Sequence, residues 1–325
     1  MKKYGVSIVV FGVLVCVVIM LLTLVPKQFN ENKKNGGGSN LIAMAEKGNK
    51  EAQNDLGFSY GQGLGVDKNY EQAIYWYEKA AAQGSIPALY NIGLFYEKGF
   101  GVTKDLLQAR RFYTKAAMQG SVDAQVNLGF LYMSGQGGGV DYVKARRFFL
   151  MAADKKNTVA LYNLGHLYHY GLAVKQDDVK AAEWYRKAVD LGSMSAKNSL
   201  ALFYSQGLGN LPVDKAQALK LLKSSACQGY AVAQNNLGLL YENGTDEIEK
   251  NIQQAYAWFS VSYYNGVKKA NDSRRLIASR MKKYEIKQAE ILAIEYIRKY
   301  PSPVNGLDTN KSETQCPLSM KMGND

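Results

Sequence analysis

Apolar residues recur along this chain with a period of about 36, and within each period they follow helical spacing. An alanine, a leucine or isoleucine, and a tyrosine stand four residues apart, so all three fall on one face of a predicted first helix. The central residue opens a Leu-Gly pattern whose second position recurs at intervals of 36, 36, 36, 36 and 37, at Gly57, Gly93, Gly129, Gly165, Ala201 and Gly238. A further glycine six residues later, from Gly63 to Gly244, predicts where this helix ends.

A second apolar pattern follows each predicted turn. An alanine opens it, and two large apolar residues stand three and four positions later, as in Trp76-Tyr77. Small residues and then a glycine, such as Gly84 or Gly120, close most copies of this second helix. One such helix pair cannot bury its apolar face alone, so neighbouring pairs must stack. The pattern therefore predicts an all-α solenoid rather than two globular domains.

These repeats read A-x-x-x-L-G-x-x-Y-x-x-G-x-G-V and then A-x-x-W/F-Y-x-K-A-A-x-Q-G, and they closely resemble the Sel-1-like repeat family, a relative of the tetratricopeptide repeats. The turn between the helices carries glycines, as in residues 63–66. The resemblance covers residues 41 to about 300. It implies a right-handed α/α solenoid of about six helix-turn-helix repeats with terminal capping helices. Two copies depart locally, because Ala201 replaces a glycine and the turn at Gly244 lacks a second one.

The repeat pattern also predicts how the sequence is divided. Residues 1–4 form a short tail, 5–25 an apolar segment, 26–40 a polar, glycine-rich linker and 41–48 an N-terminal capping helix. The six repeats are predicted at residues 49–84, 85–120, 121–156, 157–192, 193–229 and 230–266. Basic, amphipathic capping helices are predicted within 267–300, and the aperiodic residues 301–325 are predicted to be disordered.

Residues 5–25 contain no charged side chain and as a helix would span about 31 Å, enough to cross a bilayer core. A cleaved secretory signal is the alternative, but no small-x-small site follows, so we predict an uncleaved signal anchor. Lysines flank both sides and leave the orientation open, although the short leading tail favours a cytoplasmic N-terminus. Since the resemblance implies a bacterial protein, we expect a single-pass inner-membrane protein with periplasmic repeats.

The formal charge of +12 is concentrated at the two ends of the sequence. Residues 1–40 carry +4 and residues 268–299 carry +6, whereas residues 41–267 together carry only +3. A nucleic-acid binder would be expected to carry a continuous basic stripe with interleaved aromatic residues, so nucleic acid is not predicted as a partner. The basic C-terminal cap is instead suited to solvent, to an acidic partner or to anionic lipid.

Few residues suit catalysis or metal binding. The three cysteines form no C-x-x-C pair. The G-x-S-x-G match at residues 57–61 lies inside a predicted helix, where a nucleophile elbow does not form, so Ser59 is interpreted as a core residue. His166 and His169 are the only histidines, and a pair three residues apart makes at best half a metal site. We predict no catalytic residue, no cofactor and no metal.

A stripe beside the buried face of the first helices varies in chemistry from repeat to repeat. Its positions lie three before, one after and four after the Leu-Gly glycine, and in tetratricopeptide-like stacks this face lines the concave surface. We call it the first-helix stripe; its members are Phe58, Tyr90, Leu94, Glu97, Phe130, Met133, Tyr162, His166, His169, Leu202, Leu239 and Glu242. Because packing positions repeat whereas these vary, we predict that the stripe binds another protein or a peptide.

The predicted function is therefore that of a membrane-tethered, non-enzymatic scaffold or adaptor. Two alternatives remain open. Aromatic residues of the stripe would also stack on sugars, which would suit a glycan or peptidoglycan binder. One branch of the resembled family is associated with penicillin binding and β-lactam hydrolysis, but its repeats carry paired cysteines, whereas Cys227 is the only cysteine in the repeats here.

Overall fold

The repeat pattern folds into helices throughout the described part of the protein. The structure is a computed structural model and describes residues 37–303. Within those residues there are fifteen α-helices and no strand: α1 (Gly37–Glu46), α2 (Lys50–Gln62), α3 (Tyr70–Ala82), α4 (Ile86–Lys98), α5 (Leu106–Met118), α6 (Val122–Ser134), α7 (Tyr142–Ala153), α8 (Thr158–Tyr170), α9 (Asp178–Asp190), α10 (Met194–Gln206), α11 (Lys215–Cys227), α12 (Ala231–Asn243), α13 (Ile252–Tyr264), α14 (Ala270–Ala278) and α15 (Lys283–Lys299). The all-α prediction is confirmed.

Polar side chains begin these helices and glycines end many of them. In repeat 1, Asn49 Oδ1 accepts a hydrogen bond from Ala52 N at 2.7 Å, and Asn69 Oδ1 accepts one from Gln72 N at 3.0 Å. Helix α2 then ends at Gly63, whose φ of 72° lies in the left-handed region. Similar caps recur in later repeats, which is why the helix pairs repeat so regularly.

The described helices form two compact units, residues 37–177 and residues 178–303. In the first unit each helix from α1 to α8 packs against the next one in sequence. In the second unit α9 to α13 pack in the same manner, and α13 also packs against both α14 and α15. In repeat 1, Ala45 of α1, Leu56 of α2 and Trp76 of α3 share one apolar cluster, and buried residues of α3 and α4 share the next, as in a stack of repeats.

The glycine of the Leu-Gly pattern lets the two helices of a repeat approach closely. A Cβ built on Gly129 in α6 would lie 2.3 Å from Cε1 of Phe149 in α7, and one built on Gly93 would lie 2.7 Å from Cδ1 of Tyr113. Phe149 and Tyr113 are both 0% exposed. Glycine at this position therefore admits a large ring from the second helix into the centre of the repeat.

The three residues predicted to share the buried face of the first helix are not equally buried. The alanine and leucine or isoleucine positions are at most 4% exposed in all six repeats. The tyrosine positions are only half-buried, because Tyr96 and Tyr132 stack on Phe112 and Phe148 at the edge of the core. The prediction that these tyrosines are core residues is wrong in this respect, since the centre is filled from the second helix instead.

Helices close both ends of the described region. Helix α1 packs on α2 ahead of repeat 1, and α14 and α15 follow repeat 6. Helix α15 buries Ala289, Ala293 and Tyr296, while Ile291 and Ile294 stay exposed. The terminal capping helices are therefore present at both ends.

Residues 301–303, predicted to belong to a disordered tail, contact the repeats, because Ser302 N donates a hydrogen bond to Asn265 Oδ1 at 2.9 Å. The rest of that tail, the predicted anchor at 5–25 and most of the predicted linker lie outside the described residues. Between residues 37 and 303, no helix is long and apolar enough to cross a membrane.

Candidate binding surface

The first-helix stripe is divided between the two units. In the first unit it lies on α2, α4, α6 and α8, and in the second unit on α10 and α12. Leu94, Glu97 and Met133 are buried, with 5%, 7% and 8% exposure, so they serve packing rather than an accessible surface. The other nine stripe residues are half-buried: Phe58, Tyr90, Phe130, Tyr162, His166, His169, Leu202, Leu239 and Glu242.

Tyr90 joins the stripe to the core beneath it. Its ring lies 5.5 Å from that of Tyr113, measured between centroids, and its hydroxyl accepts a hydrogen bond from Asn127 Nδ2 at 3.4 Å. The Tyr113 hydroxyl donates to Glu97 Oε2 at 2.9 Å. Burial raises the pKa of Tyr90 and that of Tyr113 well above the usual tyrosine range, so both rings stay neutral. This part of the stripe is therefore held in place by a buried polar network.

Side-chain amides connect neighbouring first helices next to the stripe. The bonds run from Asn91 to Asn54 (3.3 Å), from Asn127 to Tyr90 (3.4 Å) and, in the second unit, from Asn236 to Asn198 (3.0 Å). In repeat 4, Asn163 donates instead to Val159 O in its own helix at 2.7 Å. We call these linked side chains the amide row; its signal in the sequence is an asparagine two residues before the Leu-Gly glycine in four of the six repeats. The apolar periodicity does not predict the amide row, because these asparagines lie outside the apolar positions that define the period.

The two histidines of α8 lie beside Tyr170. The rings of His166 and Tyr170 are 4.5 Å apart and those of His169 and Tyr170 are 4.6 Å apart. Burial, followed by the nearby His169, lowers the pKa of His166 to about 4, so His166 is neutral at pH 7. Its Nδ1 is buried and makes no hydrogen bond within residues 37–303. The pair is thus part of an aromatic cluster on the stripe.

Other residues with potential chemistry serve the fold. Ser59 is buried in α2, and its Oγ donates to Asp55 O at 2.8 Å, a bond within its own helix. Groups of three or more His, Cys, Asp or Glu side chains that could hold a metal ion do not occur among the described residues. The arrangement in the described units suits recognition by shape, aromatic contact and amide hydrogen bonds.

The sequence resembles known proteins over most of its length. The Sel1 repeat family model matches six segments, residues 50–85, 86–121, 122–157, 158–193, 195–230 and 231–267. The crystal structure of a Sel1 repeat protein from Oxalobacter formigenes is 34% identical to this protein, covers 72% of it and 95% of the Oxalobacter protein, and gives a TM-score of 0.65. Curated proteins include no significant match.

A second solved structure is that of c5321, described as a protective antigen present in uropathogenic Escherichia coli strains and displaying an SLR fold. It is 29% identical, covers 88% of this protein and 68% of c5321, and gives a TM-score of 0.51. The six matched repeats and the helix pairs that carry them lead to one assignment. The chain belongs to the Sel1 repeat family, whose α-solenoid members generally act as protein-interaction scaffolds and are typically non-catalytic.

Proposed function

We propose that this protein is a non-enzymatic scaffold that binds a protein or peptide along the first-helix stripe. The observation that carries the proposal is a set of half-buried aromatic side chains on successive first helices of the first unit: Phe58, Tyr90, Phe130 and Tyr162. Large rings that are already held in place lose little conformational freedom on binding and offer a large contact area. Their variation between repeats, beside packing positions that repeat almost unchanged, supports a role in recognition.

The amide row supports a peptide as the partner. A bound peptide presents backbone carbonyl and N–H groups, and side-chain amides both donate to and accept from such groups. Asn54 and Asn91 are partly exposed and share one hydrogen bond of 3.3 Å. Each amide has further donor and acceptor capacity, so a peptide backbone could bond to the row without first breaking that contact.

Replacing Phe130 or Tyr162 by alanine is expected to weaken partner binding at least ~10-fold while the protein stays folded. Each ring is half-buried on the stripe, and Phe130 also packs edge-on against Phe149 with centroids 5.6 Å apart, so Phe130→Ala removes some packing from the core as well as contact area from the partner. The partner is to be identified by cross-linking and mass spectrometry of the membrane-associated protein. Binding is then measured by titrating the purified partner against each variant.

Tyr75→Ala is the matched control, because Tyr75 lies on α3, off the stripe, and is 46% exposed. That variant should bind normally. Normal binding by both stripe variants would contradict binding along the first-helix stripe, and so would unfolding of both. The basic C-terminal cap around Arg274, Arg275 and Lys282 would then be the surface to examine, with strong salt dependence as its signature.

The proposed scaffold is tethered to the bacterial inner membrane by residues 5–25, with the repeats outside the cytoplasm. The apolar length of that segment supports this location, and so does the description of the Escherichia coli relative as a protective antigen. Membrane fractionation and N-terminal sequencing should find an uncleaved, membrane-bound protein. A soluble form that begins after residue 25, or a C-terminal reporter active only in the cytoplasm, would contradict the proposal.

A further inference from the structure

The protein holds a segment of its own at the end of repeat 6. After α15, residues 300–303 leave the helix and lie over the junction of α11, α12 and α13; we call them the C-terminal strap. Tyr300 O accepts hydrogen bonds from Gln234 Nε2 at 3.1 Å and from Asn265 Nδ2 at 3.0 Å. Ser302 N donates to Asn265 Oδ1 at 2.9 Å. One asparagine amide therefore holds a backbone carbonyl and the N–H two residues later.

The strap also depends on a glycine beneath it. A Cβ built on Gly229 would lie 2.2 Å from Pro301 O, and the φ of Gly229 is +94°. Any side chain at this position would meet the backbone of the strap. The glycine and the two amides thus form one recognition unit for a short segment that contains proline.

The two amides are themselves fixed by the repeat. Gln234 is fully buried; its Nε2 also donates to Ala226 O at 3.0 Å, and its Oε1 accepts from Asn265 Nδ2 at 2.8 Å. The strap consequently binds to groups that are already oriented, which lowers the conformational cost of holding it.

Repeat 1 has the same recognition unit. Gln53 Nε2 donates to Ala45 O at 3.0 Å, and Gln83 Nε2 donates to Gln53 Oε1 at 2.8 Å. Gly48, with φ +91°, occupies the position in repeat 1 that Gly229 occupies beneath the C-terminal strap. These residues match Ala226, Gln234 and Asn265 in position, in bond pattern and in distance.

Among the described residues, nothing covers the surface above Gly48. Apart from its two neighbours in the chain, none of them lies within 4 Å of a Cβ built on Gly48, in contrast to the strap over Gly229. Gln83 is exposed, and its Oε1 accepts none of the hydrogen bonds found among the described residues. An acceptor equivalent to the Asn265 oxygen that holds Ser302 N is therefore available in repeat 1.

Neighbouring junctions lack one part of the arrangement. Between repeats 1 and 2 the glycine is Gly84, but Leu89 stands in place of Gln53. In repeat 3, Gln125 donates to Ala117 O, yet its Oε1 is buried and has no partner within the described residues. The position equivalent to Gln83 is occupied there by Lys155, whose side chain has no amide. The complete pattern of repeat 1 is thus not a property of every junction.

We propose that Gly48, Gln53 and Gln83 form a segment-binding site that takes a proline-containing, non-helical segment of a partner protein. The site would hold a backbone carbonyl through the amide donors and the N–H two residues later through Gln83 Oε1, as the strap is held in repeat 6. A second copy of this protein is not the occupant, because its strap already uses the same groups on its own Gln234 and Asn265. The site uses none of the residues of the first-helix stripe.

The test uses a peptide with the sequence of residues 299–303, Lys-Tyr-Pro-Ser-Pro, capped at both ends, titrated into the full-length protein in detergent and followed by saturation-transfer NMR of the peptide. Three hydrogen bonds on so short a peptide correspond to a Kd on the order of 1 mM. Gln83→Ala should weaken binding about five-fold or more, and Gln83→Met should do the same while keeping the side-chain length. A peptide with an ester in place of the Ser302 N–H should lose a similar factor.

Two control variants identify where the peptide binds. Gln119→Ala alters the equivalent helix end beside Leu89 and should leave binding unchanged. Asn265→Ala disables the strap contact and should also leave peptide binding unchanged.

The proposal is overturned if no binding occurs up to about 10 mM peptide, or if binding depends on Asn265 rather than on Gln83, since the peptide would then be exchanging with the strap. Self-association of the protein that Gln83→Ala abolishes would overturn the assignment to a partner protein.

Discussion

Gly129→Ala is expected to lower the free energy of unfolding by about 2–3 kcal/mol, although alanine is the better helix former by about 1 kcal/mol. The added methyl would lie 2.3 Å from Cε1 and 2.6 Å from Cζ of Phe149, a ring that is 0% exposed. A ring enclosed on all sides cannot move aside without displacing its neighbours, so the clash outweighs the gain in helix propensity. Denaturant titration followed by circular dichroism measures the change.

The fifth repeat suggests how to verify the cause. There Ala201 occupies the glycine position, and the residue equivalent to Phe149 is Leu222, a smaller and non-aromatic side chain. The double variant Gly129→Ala, Phe149→Leu should therefore be about 2 kcal/mol more stable than the added effects of the two single substitutions predict. Additive effects would mean that the methyl clashes with something other than the ring, and the explanation given for this glycine would be wrong.

Tyr132→Ala is expected to lower the free energy of unfolding by about 2–3 kcal/mol, somewhat less than the loss of a fully buried aromatic residue. The half-buried ring stacks on Phe148 with centroids 5.8 Å apart, and the Arg110 guanidinium lies 4.1 Å above it. Arg110 also donates to Leu131 O and Gly137 O, so the ring supports a contact that holds the turn between α6 and α7. Its loss should loosen that turn as well as the helix pair.

Tyr132→Phe is the matched control, since it keeps the ring on which Phe148 and Arg110 pack. Its free energy of unfolding should stay within about 0.5 kcal/mol of the wild-type value. Denaturant titration of both variants separates the ring from the hydroxyl. A change below about 0.5 kcal/mol for Tyr132→Ala would show that this ring contributes little to the stack.

Much of the fold follows from local properties of the sequence. The alanine and leucine positions of the first helix predict its buried face, and the glycine at Gly63 and its equivalents predicts where it ends, because helical spacing and left-handed caps are decided within a few residues. The period near 36 predicts six stacked pairs and closing helices at both ends. These are properties of one repeat and its copies, so a single sequence is enough to reveal them.

The binding surface was less predictable. The spacing correctly places Phe58, Phe130 and Tyr162 at partly exposed positions of the first helices. The spacing does not distinguish these residues from Leu94, which is buried. A position at the edge of a helical face is covered only if the next helix brings large side chains against it, and the spacing does not show their size. The use of the stripe in binding stays a prediction.

By itself, the sequence of this protein determined the helices, their caps, the six Sel1 repeats and the faces that must be buried, since each depends on residues close together in the sequence. Only the tertiary structure decided that the tyrosines of the first helix lie at the core edge. It also decided that asparagines link neighbouring repeats and that Tyr300 O reaches Gln234, 66 residues earlier. Which side chains meet in these contacts depends on how the helices pack against one another, and the spacing of apolar residues within a helix does not reveal it.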